Sequence, residues 1–232
     1  MIACGTMLAD HAAIMLFPNI VILRCIGRLA LPIFAFMVAE GVLHTRSRVK
    51  YFLRIFILAV ICQAAYTIFE LVTGTFAGIY LNTLFTLSFG ILLCMAFLAA
   101  RMDRKKIWVL VLAVLLIAAF YAFCEQPFRG ITPAVRLCGF PVTYDYNFMG
   151  AVLPVTALIS LRKPWRYVYF GIGLVLLSLQ GMQSMPYQWL CLLALIPLWF
   201  YNGQRGKVNL KYFFYIFYPV HLLVLEGLAL LK

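Results

Sequence analysis

The chain has 232 residues, 66% of them hydrophobic and 11% charged, and its mean hydropathy of +1.01 excludes a soluble domain with a polar surface. A formal net charge of +12 would suit a nucleic-acid partner, but the cations stand in short clusters between apolar runs, so they read as topology signals and no nucleic acid is expected. Seven scattered cysteines without a CxxC or a Cys/His pair at ligand spacing imply neither a metal nor a disulfide framework; Cys124 and Cys138, flanking one loop, are the pair whose spacing would allow a bridge.

Apolar runs of about 20 residues match a bilayer core of about 30 Å, and strands of alternating polarity are absent. The expected fold is therefore all-α: a polytopic transmembrane helical bundle of about nine helices, forming a single membrane domain over residues 1–232. The nine segments are 2–17, 29–44, 51–72, 81–100, 107–124, 147–161, 167–182, 187–201 and 212–231. The first lacks a basic n-region and an A-x-A-like site, so it reads as a retained helix. With the amino terminus cytoplasmic, the inner loops around 46–54, 101–106, 162–166 and 205–211 hold fourteen Lys and Arg, against five outside, namely Arg24, Arg28, Arg129, Arg136 and Lys232. That asymmetry follows the positive-inside rule. The long outer connection, 125–146, is too rich in proline and glycine for a regular helix.

In chain order, the first segment carries Asp10 and His11 in "MLADHAAIMLFP". Adjacent helical residues point about 100° apart, so the two are expected to find different partners, Asp10 pairing with Arg24 or Arg28 of the next segment. An ionisable group at mid-bilayer costs on the order of 3 kcal/mol, which makes His11 a functional candidate, and an imidazole suits proton abstraction near neutral pH. Arg24 and Arg28 share a face, and Pro32 fits the first turn of the following helix. Glu40 and His44, four apart, are spaced for a hydrogen-bonded acid and imidazole. Arg46, Lys50 and Arg54 recur at four-residue intervals with Arg48 beside them, which suits either a phosphate clamp or anchoring to anionic lipid. Asn82, Thr86 and Gly90 form a small polar stripe suited to helix–helix hydrogen bonding. In the last segment Pro219 removes a helix hydrogen bond beside Tyr218 and His221, which share a face.

Five stretches resemble the TraX family of conjugal-transfer pilin acetylases within the broader transmembrane acyltransferases: "DH" at 10–11, "LRCIGRLALPIFAFMVAEGVLHTRSRVKYFLR" at 23–54, "LNTLFTLSFG" at 81–90, "DYNFMG" at 145–150 and "FYIFYPVHLLVL" at 214–225. The resemblance implies transfer of acetyl from cytoplasmic acetyl-CoA, the acyl-donor substrate, to a membrane-presented acceptor, either a pilin amino terminus or an envelope glycan, at the bacterial inner membrane. It makes His11 the general base with Asp10 in support, and Arg46, Arg48, Arg54 and His44 the group that binds the CoA phosphates. Arg24, Arg28, Glu40, Asn82, Tyr218 and His221 then fall along the substrate path. Two other readings stand beside it: a transporter of a small anionic or lipid-linked solute that uses the same buried residues as its path, and an assembly factor without chemistry that would not depend on His11.

Overall fold

The computed structural model describes residues 1–76, 78–124, 142–181, 186–204 and 211–231. Its elements are α1 (Ile2–Met15), α2 (Val21–Gly27), α3 (Ala30–His44), α4 (Arg48–Thr73), β1 (Ile79–Leu81), α5 (Thr83–Met102), α6 (Ile107–Cys124), β2 (Val142–Tyr144), α7 (Phe148–Ile159), α8 (Trp165–Gly181), α9 (Leu195–Trp199) and α10 (Lys211–Leu230). A 3₁₀ turn, Arg104–Lys106, leads into α6, and a longer 3₁₀ segment, Gln188–Ala194, leads into α9. The described chain is thus all-α but for one small ribbon. Cys138, Arg129, Arg136, Arg205, Lys207 and Lys232, all part of the sequence expectations, lie outside the described residues.

Each of the nine apolar segments contains helix, though 81–100 opens with the last residue of β1, and five stretches are long and apolar enough to cross a membrane: Val21–His44, Arg48–Thr73, Thr83–Met102, Arg104–Cys124 and Phe213–Leu230. The protein is a multi-pass membrane protein. Ile2–Met15, Phe148–Ile159 and Gln188–Trp199 are shorter apolar helices. The 14 residues of α1 rise only about 21 Å, less than a bilayer core of about 30 Å.

Local chemistry sets the boundaries. The sequence reading ran a basic stripe through Arg46, Lys50 and Arg54 on one helix, but α4 starts at Arg48 because the Ser47 side chain caps it, accepting from the Lys50 amide at 3.3 Å. Arg46 therefore precedes the helix. At its other end α4 stops at Gly74, whose φ of 72° is the left-handed conformation that closes a helix. Asn82 caps α5 in the same way as Ser47 caps α4.

The chain divides into two compact units, one comprising Met1–Met37 with Ser160–Lys232 and the other Val38–Ile159. In the second unit α5 packs against α4, α6 and α7. Gly90 makes the α5–α7 contact possible, since a Cβ there would stand 2.8 Å from Cγ of Pro154 and 3.1 Å from the Ala151 carbonyl oxygen. Buried Leu93, Ile117, Tyr121 and Ala151 form a core on this side. By contrast α4 and α6 turn Ile57, Val60, Ile61, Leu115 and Leu116 outward, as lipid-facing helices do. Strand β1 pairs with β2 in parallel, Tyr80 opposite Thr143.

In the first unit α1 packs against α2 and α10, and α8 against the 3₁₀ segment and α9. Phe36 is fully buried, its ring 5.4 Å from Phe170 and 5.8 Å from Tyr167. The Arg166 guanidinium lies 4.4 Å from the Phe36 centroid, a cation–π contact.

Candidate functional site

Both residues of the Asp10–His11 pair are half-buried on α1, and they do find different partners. Arg28 grips Asp10 with one nitrogen, Nη2, at 2.6 Å and 2.8 Å from the two carboxylate oxygens, and Nη1 of Arg24 adds a third contact at 2.9 Å. The other Arg28 nitrogen donates to Gln188 Oε1 at 3.1 Å, and its Nε to the Arg24 carbonyl at 3.3 Å. A guanidinium with 4% exposure is thus satisfied on three sides, tying α1, α2 and the 3₁₀ segment together. Two glycines leave room for it. A Cβ on Gly27 would lie 2.3 Å from Cβ of Asp10, and one on Gly181 would lie 2.9 Å from Cγ of Gln188.

His11 meets His221 of α10, its Nδ1 standing 2.8 Å from Nε2 of the partner ring. The ring planes are 11° apart with centroids separated by 5.0 Å. Nearly parallel planes carrying atoms 2.8 Å apart lie closer than the roughly 3.5 Å of a face-to-face stack, so the rings meet edge to edge, the orientation a ring N–H and a ring lone pair require. His221 is 5% exposed, and its Nδ1 is 2.7 Å from the Phe217 carbonyl oxygen one turn earlier. The Phe217 ring lies parallel to its imidazole at a centroid distance of 4.8 Å, and the buried Tyr218 ring meets it edge-on at 5.6 Å. Among the described residues no hydrogen bond joins Asp10 to His11. This arrangement is an imidazole pair in an apolar bundle, next to a carboxylate held by two arginines.

The remaining candidates belong to the second unit. The spacing of Glu40 and His44 suggested a side-chain hydrogen bond, but His44 Nδ1 stands 3.9 Å from Glu40 Oε2 and bonds to the Glu40 backbone carbonyl at 3.0 Å. The reason is position: His44 ends α3, and its ring folds back over the preceding turn onto that carbonyl. Arg48 does likewise, donating from Nε to the Val42 carbonyl at 3.2 Å. Arg46 and Arg54 are exposed, and Arg54 reaches back to the Lys50 carbonyl at 3.2 Å. His44, Arg46, Arg48 and Arg54 are therefore a cationic group around the α3–α4 turn, with donors suited to phosphate oxygens. Asn82 is occupied inside the protein, accepting from the Leu84 amide at 3.1 Å and donating to the Ala59 carbonyl at 3.0 Å and Gln63 Oε1 at 3.3 Å. Among the described residues no three His, Cys, Asp or Glu side chains gather as a metal requires.

Sequence reasoning missed three polar contributors. Gln188 and Gln63 were visible as amides inside apolar runs and deserved the same cost argument as the histidines. Asp145, which accepts from Tyr80 at 3.0 Å and also from Thr83, pins the end of β2 to the start of α5; it stood in the "DYNFMG" stretch without a role of its own.

A multi-pass helical membrane protein with a histidine pair and an arginine-clamped aspartate is the class these features define. The sequence model of the TraX protein family matches residues 1–229, and the chain belongs to that family. It is also similar to a probable fimbrial assembly protein FimC, serogroup H1, of Dichelobacter nodosus, 28% identical over an alignment 242 residues long, gaps included, that covers 97% of this chain and 91% of the relative. No solved structure matches the chain.

Proposed function

We propose that this protein is an acetyltransferase of pilus assembly in the bacterial cytoplasmic membrane, moving acetyl from cytoplasmic acetyl-CoA to an amine or hydroxyl at or across the membrane. The His11–His221 pair carries this reading, because two imidazoles joined to each other at 2.8 Å inside an apolar bundle are costly unless they hold or move a proton. Family membership and the fimbrial relative point toward pilus assembly, which favours a pilin amino terminus over an envelope glycan as acceptor. The proposed threading has nine spans with the amino terminus cytoplasmic.

In the reaction, the acceptor nitrogen or oxygen attacks the thioester carbonyl, a C–N or C–O bond forms, and the C–S bond breaks. His11 takes the proton of the acceptor and returns it to the departing CoA thiolate, so that CoA leaves as the thiol. Arg46, Arg48, Arg54 and His44 bind the nucleotide phosphates in this reading. Asp10 supports the site by holding α1 against α2.

The test is transfer of isotopically labelled acetyl from acetyl-CoA into pilin peptides and envelope glycans, followed by mass spectrometry, with wild type and His11→Ala inserted to equal levels. We expect labelled product from wild type and a loss of at least about 10²-fold in the variant, the usual scale of a general base. Undiminished transfer by His11→Ala would overturn its role as base. A protein that neither binds nor consumes acetyl-CoA, yet still supports pili or solute movement, would favour the assembly or transporter readings.

A further inference from the structure

The hydrogen bonds along α10 and α1 have only one consistent direction when both rings are neutral, as an apolar bundle favours. The Phe217 carbonyl can only accept, so His221 Nδ1, 2.7 Å away, carries hydrogen. A neutral imidazole has one N–H, which leaves His221 Nε2 as a lone pair. That lone pair lies 2.8 Å from His11 Nδ1, in the plane of both rings, so His11 Nδ1 carries the next hydrogen. Nε2 of His11 is then the remaining basic atom. Free histidine favours the opposite tautomer, with hydrogen on Nε2, so the surroundings must select this form.

We infer that His221, anchored on the Phe217 carbonyl, is a positioning residue that holds His11 in its Nδ1–H form and thereby makes Nε2 of His11 the atom that accepts the acceptor's proton, an inference that rests on the proposed function. His221 touches no reacting atom. When His11 Nε2 gains a proton, the His11 ring becomes cationic while its Nδ1–H still points at the His221 lone pair, which stabilises the charge. The proton on Nε2 later goes to the CoA thiolate, and both rings return to their starting tautomers. Asp10 does not serve this purpose, since its oxygens accept from Arg24 and Arg28 and, among the described residues, none bonds to the imidazole.

The chain has three histidines, so ¹³C and ¹⁵N histidine spectra of the full-length protein in lipid can be assigned with single substitutions. The expected wild-type spectrum shows both His11 and His221 as Nδ1–H tautomers. His221→Phe, which removes the acceptor, should move His11 to the Nε2–H form and lower kcat for acetyl transfer by about 10²-fold or more while leaving KM for acetyl-CoA unchanged. His221→Gln can place its amide oxygen where Nε2 stood, and should keep the His11 tautomer and recover most of kcat. An Nε2–H tautomer for His11 in wild type, or equal kcat in wild type and His221→Phe, would overturn the inference. The spectrum is read without substrate, so the tautomer is decided even if wild type transfers no acetyl, a result that would defeat the proposed function by itself.

Discussion

Asp10 and His11 stand next to each other in the chain, leave α1 about 100° apart and carry different duties. Helical geometry made that separation legible, and the spacing of Arg24 and Arg28 pointed to the carboxylate's partners. The identity of the imidazole's partner was not legible, because no local periodicity links positions separated by 210 residues. The role of Gly27 was equally hidden, since a missing side chain announces itself only when the group filling its place is known. The aspartate acts here through structure, and that is testable. Asp10→Asn strips a half-buried clamp of its charge and leaves two cations beside each other, which should cost about 3 kcal/mol. Gly27→Ala should reproduce the defect, because its Cβ would displace Asp10. Thermal unfolding in detergent or lipid measures both. An Asp10→Asn protein as stable as wild type but inactive would show instead that the carboxylate takes part in chemistry.

Among the elements, α5 shows what a stripe of small and polar residues does in a membrane bundle. Asn82, Thr86 and Gly90 were readable as a helix–helix face, and each serves it differently. Asn82 caps the helix and bonds to α4, Thr86 is buried with its hydroxyl 3.5 Å from that of Tyr121, and Gly90 admits Pro154. Which helices would meet that face could not be read, because lipid-facing and protein-facing surfaces are both apolar. Gly90→Val should force α5 and α7 apart and destabilise the second unit by about 1–3 kcal/mol, the usual cost of overpacking. Native-state proteolysis of the purified protein would report it as faster cleavage within residues 38–159, and unchanged resistance would contradict the packing described. On α10 the same logic runs in reverse: Pro219 is accommodated within a continuous helix.

At the scale of the whole molecule, composition identified a membrane protein, and the length and spacing of its hydrophobic runs, with no alternating strands, pointed to an all-α fold and located helices. Lengths were harder, because hydropathy does not reveal where a cap stops a helix. Ser47 and Gly74 fix the ends of α4, and α1 is shorter than a span usually needs. The proposed threading is checked by thiol labelling after replacement of the native cysteines. A cysteine at position 105 should react with an impermeant reagent only after the membrane is permeabilised, and one at position 75 should react in intact cells. The reverse pattern would invert the orientation.

The clamp and the histidine pair also differ in when they can exist. Arg24 and Arg28 follow Asp10 by 14 and 18 residues, so the charges can neutralise one another as α1 and α2 enter the membrane. His221 is made 210 residues after His11, and at about 5–20 residues per second that interval is roughly ten to forty seconds. During synthesis the protein therefore holds an assembled scaffold and an imidazole without its partner. α10 supplies the second imidazole, so any proton movement that needs both rings must wait until that helix has been made and packed against α1.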